Sequence, residues 1–286
     1  MSTGAVPNAI NPVRLRIKYS RVLLNAFLLT AGLVMVLPII WAALTSFKPS
    51  ADIVTETPTF LPTTWTLEHY AKLPRIAPFL LFFFNSVLVS SVSTVFVILG
   101  STAAGYVFAK HRFVGRDFLL LLVISTILIP METYVIPLFL TIRALHWVNS
   151  YAGIIYPTII MSTGIFFLRQ NIASIPDELI DAARIDGASE FTVLRHVVFP
   201  ASMSAIAAIA IVNWVYTWSL FLWPLIVASS AKKFTMEIGL MYFQREYIVD
   251  YGGVFAATNI TMLPLLIVFL LFRRNIIQGI STTGMK

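Results

Sequence analysis

The chain is 286 residues long, 58% hydrophobic and only 12% charged, where soluble domains run at about half apolar and about a quarter charged. Its 20 Lys+Arg and 13 Asp+Glu are too few to coat a water-soluble globule of this length, and the apolar residues fall in long blocks, so lipid is the solvent for much of the chain. The absence of cysteine excludes disulfides, thiolate catalysis and Cys-ligated metal, while the net charge of +7 takes its meaning from placement along the chain.

About 20 apolar residues cross a bilayer core, and six segments approach or exceed that length: 22–44, 79–109, 118–140, 151–168, 201–228 and 254–272. The expectation is an all-α integral membrane protein of six transmembrane helices. It divides into an N-terminal segment (1–21), a first helix with an outer loop (22–78), a five-helix core (79–272) that includes a charged segment at 174–200, and a tail (273–286). The first apolar run is about twice a signal-peptide core and is followed by no small-x-small cleavage site, so it reads as a retained helix.

Orientation follows from the cations. With both termini inside, the inner segments hold Arg14, Arg16, Lys18, Arg21, Lys110, Arg112, Arg116, Arg169, Arg184, Arg195, Arg273, Arg274 and Lys286, 13 against the 7 left outside. The positive-inside rule then places both termini in the cytoplasm. The basic balance is thereby an orientation signal, and nucleic acid drops out as a partner.

The outer loop 45–78 is rich in Pro and Thr and reads as an extended cap. Pro38, Pro130, Pro137, Pro157, Pro224 and Pro264 fall inside spans, where each removes a backbone hydrogen bond and bends its helix. Together they predict bent helices around a pathway. Ala201, Ser204, Ala205, Ala207, Ala208 and Ala210 open the fifth span, and small residues at such spacing let helix backbones approach closely.

The segment 174–200 reads SIPDELIDAARIDGASEFTVLRHVVFP. It predicts two short helices around Gly187, the first capped by Ser174, with Pro176, Asp177 and Glu178 in its opening turn. The second is expected to gather Phe191, Leu194 and Val198 on one face. A helix-turn-helix outside the bilayer with an apolar edge suits docking into a groove of a soluble partner.

These residues resemble the EAA loop of binding-protein-dependent ABC importer permeases, Glu-Ala-Ala-x3-Gly-x9-Ile-x-Leu-Pro. Here it stands as Asp181-Ala182-Ala183, three residues, Gly187, nine residues, then Val197-Val198-Phe199-Pro200. Thr45-Ser46-Phe47-Lys48, Asn85-Ser86, Ile175-Pro176-Asp177-Glu178-Leu179, Trp223-Pro224-Leu225 and the tail from Gln278 to Lys286 resemble the carbohydrate permeases of the maltose and glycerol-phosphate type. One departure is Trp218-Ser219-Leu220, where those permeases carry Trp-Asn followed by Asp or Glu.

The resemblance implies a type I ABC importer permease fold with a cytoplasmic coupling helix, multi-pass in a bacterial-type cytoplasmic (inner) membrane. It further implies a second homologous permease, two ABC ATPase subunits that hold ATP and Mg, and an extracytoplasmic sugar-binding protein. On that reading Asp181, Ala182, Ala183, Arg184, Asp186, Gly187 and Ser189 engage the ATPase. Candidates for a sugar pathway are Asn85, Ser86, Glu132, Asn213, Trp214, Trp218 and Trp223, since amides bond hydroxyls and aromatic faces stack on sugar rings. The alternative for the same tryptophans is helix packing or the membrane interface.

Glu132 is the acidic residue that stands out within the spans. A straight helix from Phe118 puts it about 21 Å along, in the outer part of the bilayer, where an ionisable group faces protein or water. The outer loop 242–251, with Tyr242, Phe243, Arg245, Glu246, Tyr247 and Tyr251, is a candidate contact for the binding protein or an interfacial belt. No Gly-Lys pair exists to form a phosphate-cradling loop, and His69, His111, His146 and His196 are scattered. The chain therefore reads as binding no cofactor or metal and as a non-catalytic subunit. The rival reading, a self-contained secondary carrier or channel, predicts an internal repeat and charged mid-membrane sites, neither of which the sequence offers beyond Glu132.

Overall fold

A computed structural model describes residues 12–245 and 248–281. Its axis is the Phe79–Lys110 helix, 32 residues without a proline. At about 1.5 Å per residue it is roughly 48 Å long, so it crosses the hydrocarbon core and projects beyond it. The Ser162–Ala173 and Met203–Trp218 helices pack along it. Gly105 and Gly164 permit that closeness. A Cβ on Gly105 would meet the Arg169 backbone nitrogen at 3.0 Å, and one on Gly164 would meet Ser101 Oγ at 2.9 Å. Within the alanine-rich opening of the fifth span, Ala205 and Ala208 are buried, whereas Ala201 and Ser204 are exposed.

Three expected spans are unbroken helices: Arg21–Thr45, Phe79–Lys110 and Tyr251–Phe272. The other three are each a bent pair, in line with the bending that the span prolines predict. Arg116–Leu128 turns 104° into Met131–Ala144, Tyr151–Thr158 turns 46° into Ser162–Ala173, and Glu190–Ala201 turns 81° into Met203–Trp218. Pro130, Pro157 and Pro200 stand at or just before these breaks. The fifth span also stops short of residue 228. Helix ends at Trp218 and resumes as Leu222–Val227, because the Pro224 ring clashes with the carbonyl four residues back in a continuous helix. Pro38, Pro137 and Pro264 remain inside helices.

The freed carbonyls find partners. Pro157 has no N–H to give Gly153, and the Gly153 carbonyl accepts from the indole of buried Trp223 at 3.0 Å. In the 45–78 segment, the Glu68–Ile76 helix lies against the last span, where a Cβ on Gly252 would fall 2.0 Å from the His69 ring. Lys48 is buried, its ammonium on the Thr59 carbonyl, and His69 Nε2 donates to the Lys48 carbonyl at 2.9 Å. Ser46 shares hydrogen bonds with Tyr70 and with Asn259 of the last span. The Thr-Ser-Phe-Lys signature therefore bolts the first span to the cap and to the last helix.

Candidate functional site

The segment between the fourth and fifth spans folds as the helix Asp177–Ile185, a turn at Gly187, and the helix Glu190–Val193 continued by a π-turn at Leu194–Val198. Two local expectations change. Ser174 closes the preceding helix, with its hydroxyl on the Asn171 carbonyl, and Pro176 is the residue that caps Asp177–Ile185. The π-turn shifts the helical period, so the buried positions are Val193 and Val198, five apart, while Phe191 faces solvent.

Gly187 adopts φ +83°, a left-handed conformation, with open space where a Cβ would stand. The backbone therefore asks for glycine, and crowding does not. Gly187 N–H donates to the Arg184 carbonyl and Ala188 N–H to the Ala183 carbonyl, the paired bonds of a Schellman ending. Ser189 Oγ then accepts from the Thr192 N–H and starts the next helix. Sequence spacing around Gly187 thus encodes a rigid corner.

A polar bracket fixes that corner to the bundle. Tyr106, at the end of the long second span, donates to Glu190 Oε2 at 2.6 Å. Arg184 Nε donates to Glu190 Oε1 at 3.0 Å, and His111 Nε2 lies 3.3 Å from the same carboxylate. The tyrosine hydroxyl and the Arg184 guanidinium together hold Glu190 below the usual carboxylate range. Lys110 bonds Asp177 at 2.5 Å and holds that carboxyl low as well. Asp181 pairs with Arg184 at 3.2 Å, so within this chain it serves the loop's own charge balance. Beneath the corner, Ile180, Val193 and Val198 join Tyr106, Leu168, Ile172 and Ile175 in one apolar cluster. Above it Leu179, Ile185 and Phe191 stay 53%, 86% and 70% exposed.

The pathway candidates do not converge. Asn85 donates to the carbonyls of Lys232 and Phe234 and accepts from Tyr151, and Ser86 accepts from the Met236 N–H. Both are buried and clamp the 232–236 segment. Asn213 donates to Ser93 and Thr94, Trp218 donates to the Thr261 carbonyl, and Trp223 holds Gly153 as above. These five side chains are taken up by helix packing. Trp214 stacks on Trp218 with centroids 5.0 Å apart and is half-exposed, and Glu132 is exposed. The straight-helix depth for Glu132 fails, because it opens the Met131–Ala144 helix after the 104° turn.

In the 242–251 loop, Gln244–Arg245 pairs antiparallel with Ile248–Val249, and Phe243 is buried against Phe79. Glu246, Tyr247 and the tail from 282 on, as well as Met1–Asn11, lie outside the described residues. Among the described residues no three His, Asp or Glu groups converge as metal ligands. Glu190 and Tyr106 are the residues of this bracket that sequence reading missed. Their only sequence signal is a lone acid and a lone phenol at two helix ends 84 residues apart.

Residues 96–282 match the family described as binding-protein-dependent transport system inner membrane component. The arabinooligosaccharides transport system permease protein AraQ of Halalkalibacterium halodurans is 35% identical over 269 residues, covering 91% of this chain and 96% of that protein. The sn-glycerol-3-phosphate transport system permease protein UgpE of Salmonella typhi is 30% identical over 262 residues, covering 88% and 93%. The crystal structure of a bacterial ABC transporter involved in import of the acidic polysaccharide alginate contains a chain that superposes with a TM-score of 0.76. It is 22% identical and covers 94% of this chain and 99% of that one, so the two share a fold.

Proposed function

Because this chain belongs to the binding-protein-dependent transport system inner membrane components, we propose that it is the permease subunit of an ATP-driven importer for an oligosaccharide, polyol or glycerol-phosphate compound. It forms half of the translocation pathway beside a second homologous permease. ATP and Mg are held by two separate ATPase subunits, an extracytoplasmic sugar-binding protein delivers the solute, and this chain performs no catalysis. Both termini and the 174–200 loop face the cytoplasm, and 79–272 is the transporting core.

One observation carries the coupling role: Leu179, Ile185 and Phe191 stand exposed on a corner whose underside is fully packed. A loop held so firmly from below, with apolar side chains left uncovered above, suits insertion into a protein groove. The ATPase dimer closes on ATP, and the rigid corner carries that preference to the fourth and fifth spans, which it joins directly. Trp214, Glu132 and Tyr216 are among the polar or aromatic side chains left accessible near the helix breaks, and these we assign to the solute route.

The test is the double substitution Ile185→Glu with Phe191→Glu, read by ATPase co-sedimentation with membranes and by uptake of labelled oligosaccharide. The expected result is loss of both with the permease level unchanged. Retained ATPase and normal uptake would refute the docking corner.

A further inference from the structure

Two adjoining cavities open at the junction between the second and third spans, on the same side as the 174–200 corner. The first has a volume of about 270 Å³ and is lined by Lys110, Arg112, Arg116 and Arg184 together with Asp177 and Asp181. Four cations meet two carboxylates. The pairing is uneven: Lys110 is spent on Asp177, Arg184 on Asp181 and Glu190, and Arg116 on its neighbour Asp117. Arg112 has no hydrogen-bond or ion-pair partner among the described residues. With Glu190 and Asp117 counted, four carboxylates face the four cations, so the cleft's opening for an anion is the unpartnered Arg112, and two arginine forks suit the oxygens of a phosphate.

The second cavity supplies the reason to think of lipid. It shares Arg112 and Arg116 and is bordered by Phe113, Phe118 and Asp117, and Val114, next to Phe113 in the chain, is 102% exposed. Aromatic and aliphatic side chains standing free beside paired arginines fit the boundary between acyl chains and headgroups, apolar tips in the former and guanidinium groups in the latter. Basic pockets between helices at such a boundary recognise lipid headgroups.

We propose that the Lys110–Arg116 junction and the Asp177–Ile185 helix together form a binding site for the phosphate of an anionic phospholipid. The acyl chains lie along Phe113, Val114 and Phe118. Arg112 holds the phosphate, joined by the terminal guanidinium nitrogens of Arg116, whose Nε stays on Asp117, while Lys110 and Arg184 remain committed to their carboxylates. A bound headgroup thereby tethers the coupling corner to the bilayer surface. The site does not depend on which solute is imported, and a binding measurement reads it apart from transport.

The experiment is native mass spectrometry of the assembled transporter, titrated with phosphatidylglycerol, phosphatidylcholine and, separately, inorganic phosphate. Wild-type protein should retain phosphatidylglycerol over phosphatidylcholine. At about 1 kcal/mol per basic residue near a lipid surface, Arg112→Gln weakens retention roughly 5-fold, and adding Arg116→Gln brings the loss to roughly 30-fold. Arg112→Lys with Arg116→Lys keeps most of it, which separates lost charge from lost fold. Equal retention of the two lipids overturns the proposal, as does a Gln double variant that binds like wild type. Displacement of phosphatidylglycerol by millimolar inorganic phosphate overturns the lipid source in favour of a soluble anion. Protection of an Arg112→Cys thiol by the ATPase subunits in lipid-free detergent assigns the cleft to a protein carboxylate instead. If the Gln variants do not assemble, the wild-type preference between the two lipids decides alone.

Discussion

Glu190 joins three elements through one carboxylate: the end of the second span through Tyr106, the Asp177–Ile185 helix through Arg184, and the 110–116 junction through His111. The tyrosine hydroxyl, then Arg184, lower its folded pKa below the usual carboxylate value. A depressed acid stabilises the fold above its unfolded pKa and loses that contribution as pH falls through the folded value. At neutral pH the bracket is therefore complete, and it opens only in acid below the ordinary carboxylate range. Its side chain is about half exposed, so solvent screening limits its worth to about 1 kcal/mol or less. Because the chain has no cysteine, a nitroxide on Arg195→Cys reports the corner's motion cleanly. Acidification should raise its mobility in the wild-type background, whereas Glu190→Gln should be mobile at neutral pH and nearly indifferent to acid. A Gln variant that keeps the full acid response would assign the transition to Asp177 and Lys110.

Between elements, the prolines and tryptophans act as pairs. Pro157 frees the Gly153 carbonyl and Trp223 satisfies it. Trp223→Phe leaves that buried carbonyl without a donor, at a cost of about 1–3 kcal/mol, to which a small cavity adds. Pro157→Ala restores a backbone N–H that reaches the same carbonyl. The double variant should thus be more stable than the sum of the two singles, by about 1 kcal/mol of coupling, as measured by thermal unfolding in detergent. Strict additivity would mean that the indole bond carries no energy. This pairing also shows what sequence reading delivers and where it stops. Block hydrophobicity located all six spans, and the proline positions foretold bending, because both are local properties of the chain. The angles were not legible, since a proline removes a bond without fixing where the next helix points. Asn85, Asn213 and Trp218 were weighed as sugar contacts because an amide or indole in a span advertises polarity, not its partner. Their partners lie on elements 43 to 149 residues away. The Gly187 corner was readable for the opposite reason, as its bonds close within six residues. The face of the helix after Gly187 departs from the amphipathic pattern because a π-turn changes the period that pattern assumes.

At the scale of the molecule, the first span stands apart. The Phe79–Lys110 helix buries 44% of its most apolar stretch, whereas the Arg21–Thr45 helix buries none. Its contacts gather at one end. Trp41 meets Phe255 edge-on at 5.6 Å, and Asn259 donates to Ser46 at 2.9 Å, while an apolar groove of about 430 Å³ separates Ile39 from Leu263 nearby. A helix exposed all round within this chain needs only hydrophobicity along that length, because lipid or another subunit covers it without a side-chain code from its own bundle. Its docking must come from the capped end. Replacing residues 22–37 by leucine should therefore leave the first and last spans together, read as the cross-linking yield between Ile39→Cys and Leu263→Cys. Asn259→Leu, which strips the polar bolt at Ser46, should lower that yield about 3-fold, since a hydrogen bond between membrane helices is worth about 0.6 kcal/mol on average. The reverse pattern, with the leucine run disruptive and Asn259→Leu silent, would place the specificity of the first span along its length and refute an end-anchored helix.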